Sequence, residues 1–502
     1  MLRLHRDERG QSLVIVLSLI TIMFLLGSSL AVHGSVALRS TRASDAQGDD
    51  FYAADAATEL GIWWQRNGKA GNPPAQTINS VTTSTTITSA GGGGGCPTVA
   101  PIWLTGFEHG AVSASGGGLF DTVVTVGGTN VTAPAAAART GGYGLRVQTT
   151  DIFSFGYARK NTTGAVRVAR LSIQLPTLPV PATTDADLAL FNASTGSALK
   201  ILYQGSSQKL ALRIGTGTPV EMSGTFSAGT WYSFDVRYNV STNPRRAEWQ
   251  LDGVAQTDVT SAEATATSVS SVQLGADSGT SSNMYFDDVM VSSTSADYPI
   301  GELSIDALAL NGMGVSVNPP SFQHNDNTAI SATTYTRLDE TPMTSLVDYI
   351  KQVTANVNRY IEMTFADTTE ECIRGVSAVL AYHGSATAAN TGKTSIFVGA
   401  TERIVYSGAM NVTALAYKSL VVSPITAPWT QAALNGLLVR VGYSTDINPL
   451  PYWDAVLLEY GWRTSPPATI TVVGTGGGST VTTDYTDAGA GVPTLDTWTV
   501  TK

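Results

Sequence analysis

The chain has 502 residues, enough for two or three domains that each bury a core. Charged residues make up only 14% and the net charge is −10; this argues against a nucleic-acid partner, because neutralising phosphates takes clustered Lys and Arg, and no such cluster exists. The 50 glycines, set among Thr, Ser, Ala and Val, are the texture of an exported protein built from short strands and turns.

At the N-terminus, Arg3, Arg6 and Arg9 precede an uncharged run from Leu13 to Val32. At about 1.5 Å per residue such a helix spans about 30 Å, one hydrocarbon core. The run is longer than the roughly 7–15 apolar residues of a signal peptide, although Ser29-Leu30-Ala31 offers a cleavage site. The basic flank places the N-terminus in the cytoplasm and everything beyond Val32 outside. No proline follows until Pro73, and Val36–Arg66 carries Ala, Leu, Phe and Trp at helical spacing. The expectation is one long helix, transmembrane in its first half, ending near residue 68. A simple membrane anchor with a helical stalk fits the same hydropathy.

Three segments carry a resemblance: Arg9-Gly10 before the apolar run, LRSTRASDAQ (Leu38–Gln47) and FYAADAATELG (Phe51–Gly61). Together they resemble the N-terminus of type IV pilin-like proteins, especially minor pilins of the PilX kind. The resemblance implies processing after Gly10, with Gln11 as the mature first residue, and other pilin-like subunits as partners. Most members carry a glutamate five residues after the cut, where this chain has Ile15.

Residues 69–100 read as a Gly-rich linker around Gly91–Gly95. Beside it stands Cys96, one of only two cysteines; it either pairs with Cys372 in an oxidising compartment or both stay as thiols. Neither is flanked by His, so zinc is not expected.

Over residues 101–298, short runs such as YGLRVQT, DLALFNA and KLALRIG alternate with Gly, Asn, Ser and Asp, predicting an antiparallel sandwich. GTWYSFDVRY (Gly229–Tyr238), EWQLDGVAQ (Glu248–Gln256), VQLGA (Val272–Ala276) and FDDVMVS (Phe286–Ser292), in that order, resemble the laminin-G/concanavalin-like jelly roll. Gly253 supplies the positive φ that its Asp-Gly hairpin requires. If first and last strands lie side by side, Glu108 of TGFEHG meets Asp287 and Asp288 of FDDV in a hard-oxygen site suited to a structural Ca²⁺. Carbohydrate-binding modules of this type are similar; the alternative is that the two aspartates end a strand in solvent. Glu248 and Asp252 have the spacing of a glycosidase pair, but Asp252 belongs to the turn and Arg245 and Arg246 lie alongside, so no catalytic machinery is read here.

Residues 299–465 form a second sandwich by the alternation in IEMTF, GVSAVLAYH and LLVRVGYS, with a short helix or turn starting near Thr430 as N-cap. IDALALNGMG, LDETP, GVSAVLAYHG, WTQAALNGLLVRVGYS and LLEY resemble a β-sandwich module of bacteriophage virion and tail-associated proteins. Arg337, Asp339 and Glu340 read as a surface turn before Pro342. Tyr443, Tyr452 and Trp453 are candidates for an exposed aromatic patch. Residues 466–502 read as a flexible Thr/Gly-rich tail or a loosely tied hairpin.

The fold class expected is therefore mainly β: a long N-terminal helix followed by two antiparallel sandwiches. The expected role is a cell-surface minor pilin or pilin-like adhesin in a bacterial envelope, binding a glycan or protein without turnover. A spacer or filament-tip protein with no ligand, and a surface glycosidase, are the alternatives.

Overall fold

The computed structural model describes residues 73–89, 99–463 and 468–501 apart from short internal segments, together with residues 16–24 and a few helical positions up to residue 60. The chain divides into two compact units, Met1–Gly95 with Pro466–Lys502, and Cys96–Ser465. Gly10, Gln11 and Cys96 lie outside the described residues, and with them the processing site. Cys372 is disulfide-bonded, and the sequence holds one other cysteine, Cys96.

In the first unit, residues 16–24 are helical, and Val16, Leu17, Leu19, Ile20, Ile22, Met23 and Phe24 are all exposed. Among the described residues no helix is long and apolar enough to cross a membrane. The unit also holds a five-stranded antiparallel sheet of Gln76–Ile78, Val81–Ser89, Ala468–Gly476, Ser479–Asp487 and Thr494–Thr501. Segments expected as linker and tail are thus paired strands, with Val81–Ser89 against Ala468–Gly476 over eight residue pairs. The Thr-Val alternation of these segments suits a pleated surface, because β-branched side chains pack well there.

The second unit contains both sandwiches. The first has a seven-stranded sheet in the order Val220–Glu221, Lys209–Ile214, Gly196–Gln204, Ala186–Ala193, Val269–Ala276, Phe155–Val166, Thr122–Val126. Facing it is a nine-stranded sheet centred on Trp231–Asn239, Val168–Gln174 and Ser282–Ser292. The first strand, Pro101–Thr105, pairs with the last, Ser282–Ser292, as expected. Asp252 and Gly253 both have positive φ, 50° and 78°, the primed-turn geometry that matches strand twist.

The second sandwich packs a sheet of Phe322–His324, Ile350–Gln352, Pro451–Arg463, Cys372–Gly384 and Ala416–Val422, with Ser304–Leu308, on a five-stranded sheet that includes Tyr360–Phe365 and Leu437–Tyr443. Thr430 caps the helix Gln431–Asn435 by accepting a hydrogen bond from Ala433 N, as the sequence predicts.

The sequence predicts half-buried strands here, yet Cys372–Gly384 and Pro451–Arg463 are buried on both faces. Ala378, Leu380, Tyr382, Val456 and Leu458 fill the second sandwich's own core. The opposite face, Val379, Ala381, Ala455 and Leu457, joins the apolar core of the first sandwich. At the paired glycines Gly375 and Gly461 the sheets approach most closely. A Cβ on Gly461 would lie 3.0 Å from Leu104 Cδ1 and 3.0 Å from Met290 Cε, so any larger residue would oblige these side chains to shift. The core of the first sandwich thus continues onto the outer face of the second, which keeps a core of its own.

Leu457, 1% exposed, sits in this seam. Leu457→Ala should cost about 2–5 kcal/mol and lower the melting of both sandwiches together. Thermal unfolding followed by near-UV circular dichroism checks this; a shift confined to one of two separate transitions would show the seam to be superficial.

Candidate functional site

The three residues expected to hold a metal are all interior. A break in register between Asp287 and Met290, with Asp288 at φ 51°, forms a bulge in the last strand of the first sandwich. It turns both carboxylates inward, where each is fully buried. Asp287 Oδ2 accepts from the backbone N–H groups of Arg139 (2.6 Å) and Thr140 (3.1 Å), and Oδ1 accepts from Asp288 N. Asp288 accepts from Arg139 Nη1 (2.6 Å), Thr140 Oγ1 (2.6 Å) and Ile305 N (2.7 Å).

Glu108 spends Oε2 on Gly142 N at 2.7 Å, while Oε1 is buried without a partner. Glu108, Asp287 and Asp288 do not make a group able to hold a metal, and no three His, Cys, Asp or Glu among the described residues do. Where calcium was expected, the guanidinium of Arg139 and five N–H or O–H donors engage the two aspartate carboxylates and occupy lone pairs that a cation would use.

Glu108 instead belongs to the seam. Its backbone N–H donates to Glu459 Oε1 at 2.8 Å, Thr105 Oγ1 donates to the same oxygen, and His109 Nε2 lies 4.0 Å from it. A cavity of about 10 Å³, the room of one water, is lined by His109, Trp103, Phe120, Ser419 and Glu459. Burial pushes the Glu108 carboxyl up to about 9 and that of Glu459 to about 7, while the His109 imidazole falls to about 3. Sequence reasoning had paired Glu108 with the aspartates and missed Glu459, which a long apolar strand conceals.

The glycosidase-spaced pair is not assembled as one. Glu248 is held by Arg237 and Arg246, and Asp252 accepts from Ser233 N across its hairpin.

The outer face of the seven-stranded sheet is different in kind. Cross-strand pairing sets Thr122, Arg159, Gln273, Leu190, Lys200 and Arg213 in one row over six strands. Their neighbours in sequence, Ala158, Leu274, Ala189, Ile201 and Leu212, point into the core. Beside the row, Asn161, Ser271 and Asn192 form a second polar row, and Tyr157 is half-buried on the same face with the Arg159 guanidinium 5.9 Å from its ring centroid.

Asp187 engages Lys200 at 2.7 Å and Arg213 at 3.7 Å. Gln273, 1% exposed, accepts from Asn192 but leaves its Nε2 donor without a partner. Such a platform offers fixed donors to hydroxyls and carboxylates. Sequence reasoning did not single these residues out; the signal was the polar residue inside each apolar run of YARKN, ALKILY, LALRIG and SVQLG.

No family model and no curated protein matches this chain. Among solved structures it is similar to the cellulose-induced protein Cip1, at 16% identity over 38% of this chain and 97% of that one, with a TM-score of 0.31. It is similar to the carbohydrate-binding module CBM66 from Bacillus subtilis at 11% identity, over 34% and 95%, with a TM-score of 0.23. The tandem CBM22-1–CBM22-2 domain of Paenibacillus barcinonensis Xyn10C covers 74% of this chain and 99% of its own at 11% identity, TM-score 0.20. Likenesses at these scores carry no functional argument, and the sandwich architecture rests on the strand pairing itself.

The seam carboxyls make stability depend on pH. Both bind a proton in the folded chain that the unfolded chain, with glutamate near 4.5, releases. Their contribution is therefore full below pH 4.5 and is lost as the pH rises through about 7 for Glu459 and about 9 for Glu108. His109 acts in the opposite sense, only below 6.5. Stability should fall between pH 6.5 and 9, and Glu108→Gln or Glu459→Gln should flatten that fall; urea unfolding at several pH values measures it.

Proposed function

We propose that this protein is a surface-displayed glycan-binding protein that works without turnover, carried on a pilin-like N-terminal helix and presented outside a bacterial envelope. The observation that carries this reading is the row Arg159–Gln273–Leu190–Lys200–Arg213, in which Arg159, Lys200 and Arg213 are part-exposed. Three cations against the one carboxylate of Asp187 leave this row net positive beside Tyr157, which favours an acidic oligosaccharide: Arg pairs a carboxylate or sulfate through parallel N–H bonds, and the ring offers its face to a sugar. The helical residues 16–24, apolar and exposed, suit lipid or a bundle of like helices, and other pilin-like subunits are the partners we assign to them.

Oligoalginate, oligogalacturonate and heparin hexasaccharides, titrated against the detergent-solubilised chain, test the reading. Binding of at least one is expected, weakening with salt. Arg159→Ala with Lys200→Ala should raise Kd about tenfold or more, since charge-assisted hydrogen bonds contribute about 1.5–3 kcal/mol each. Absence of binding throughout would favour a spacer with no ligand of its own.

A further inference from the structure

The second sandwich carries an aromatic corner that the first sandwich's polar face does not explain. Lys351, Tyr452 and His383 are cross-strand neighbours on three adjacent strands. Tyr349, directly before the strand Ile350–Gln352, completes the group. The ring centroids are 4.9 Å apart for Tyr349 and His383, 5.0 Å for Tyr349 and Tyr452, and 4.8 Å for His383 and Tyr452. All three side chains belong to half-buried residues, so the corner is neither core nor loose surface. Trp453, its neighbour in sequence, faces the other way, fully buried with its indole N–H on Thr394 Oγ1.

The imidazole is fixed from below. Tyr382 pairs with Trp453 and Ala381 with Ala455, which leaves Asp454 as a bulge residue between them. Its carboxylate, fully buried, lies 2.8 and 2.7 Å from His383 Nδ1 through its two oxygens. An ionised carboxylate only accepts, so Nδ1 carries a proton, and in the neutral imidazole Nε2 presents a lone pair. Nε2 has no protein partner among the described residues and is not among the buried polar atoms; the His383 side chain is 12% exposed. Bulges that re-aim a side chain concentrate at functional positions. An imidazole held by a buried carboxylate, open at its far nitrogen and walled by two tyrosines, has the composition of a ligand site: mostly apolar walls with a few fixed polar groups.

Charge narrows the ligand. Asp339 and Glu340 are half-buried nearby, and burial together with Asp348 raises both carboxyls, with Asp454 adding to the effect on Glu340. The two cations on this side are engaged: Arg337 binds Asp348 and Asp326, and Lys351 donates to Asn327 Oδ1. An anionic sugar would meet repulsion here, whereas an uncharged one finds hydroxyl acceptors.

We propose that Tyr349, Tyr452 and His383 form a second saccharide site, for neutral hexoses, in which a pyranose C–H face lies on the tyrosines and a sugar hydroxyl donates to His383 Nε2. This site stands apart from the cationic face of the first sandwich and does not rest on its ligand.

The test titrates the detergent-solubilised full chain with uncharged hexasaccharides of glucose (maltohexaose, cellohexaose), mannose, galactose and N-acetylglucosamine, by calorimetry. Binding of at least one is expected. Tyr452→Ala should weaken it about tenfold or more and His383→Phe, which keeps a ring but removes Nε2, by a similar factor. Arg159→Ala with Lys200→Ala should leave it unchanged. Tyr452→Leu, which retains apolar volume, serves if the alanine variant does not fold, and an unchanged melting temperature certifies it. No binding of any neutral hexasaccharide overturns the proposal, as does equal binding by the Tyr452 and His383 variants, or loss of binding in the Arg159/Lys200 variant. Titration of the same variants with oligoalginate reads the first site independently, so either reading can fail alone.

Discussion

The structure depends on the seam where Leu104 and Met290 enter the space left by Gly375 and Gly461. A side chain at either glycine would displace Leu104 and Met290 from the seam, next to the apolar row of Val379, Ala381, Ala455 and Leu457. Because those strands are covered on both sides, neither sandwich keeps its present surface if separated. Each would expose a sheet face that is apolar along its length, which in a solitary domain invites association. The two domains are one unit because of what lies between them.

The same seam accepts polar groups at a cost. Glu459 and Glu108 occupy positions where charge is poorly solvated, and the chain compensates with backbone N–H donors and a hydroxyl. Elsewhere buried charge is balanced more fully. Asp235 faces Arg170 and also accepts from Ile300 N and Gly301 N, which fixes the segment joining the sandwiches. Asp288 does likewise through Ile305 N and Arg139. Buried carboxylates at both ends of the connecting segment thus set its path. In this fold they act as fasteners, each held by several protein donors.

Much of this organisation was legible in the sequence. Two sandwiches, the Asp252-Gly253 hairpin, the Thr430 cap and the adjacency of first and last strands all followed from local patterns with a physical cause. What failed was non-local. GVSAVLAYH was read as a half-buried strand, although an unbroken apolar run is the mark of a strand covered twice. Asp287-Asp288 could not be placed because a bulge, invisible in a period-two pattern, turned both inward. Glu459 escaped notice since nothing near it in sequence announces Glu108. The Thr-rich ends were taken for linker and tail because their strands find partners only across the whole chain. Tyr452 and Trp453 were grouped together, yet neighbours on a strand face opposite ways, and one went to the surface and the other to the core.

The pairing of Val81–Ser89 with Ala468–Gly476 has a consequence for biogenesis. During synthesis the first of these strands emerges long before the second, and both sandwiches must be made in the interval. A contact of such sequence separation forms late, since its ends must be brought together after everything between has been ordered. The sheet that pairs these two strands therefore closes only after the sandwiches between them are in place. A chain that stops before Ala468 leaves Val81–Ser89 with an open edge, a template for pairing with another chain. The ordering of residues 76–89 is in this way tied to strands nearly four hundred residues later, within the same compact unit.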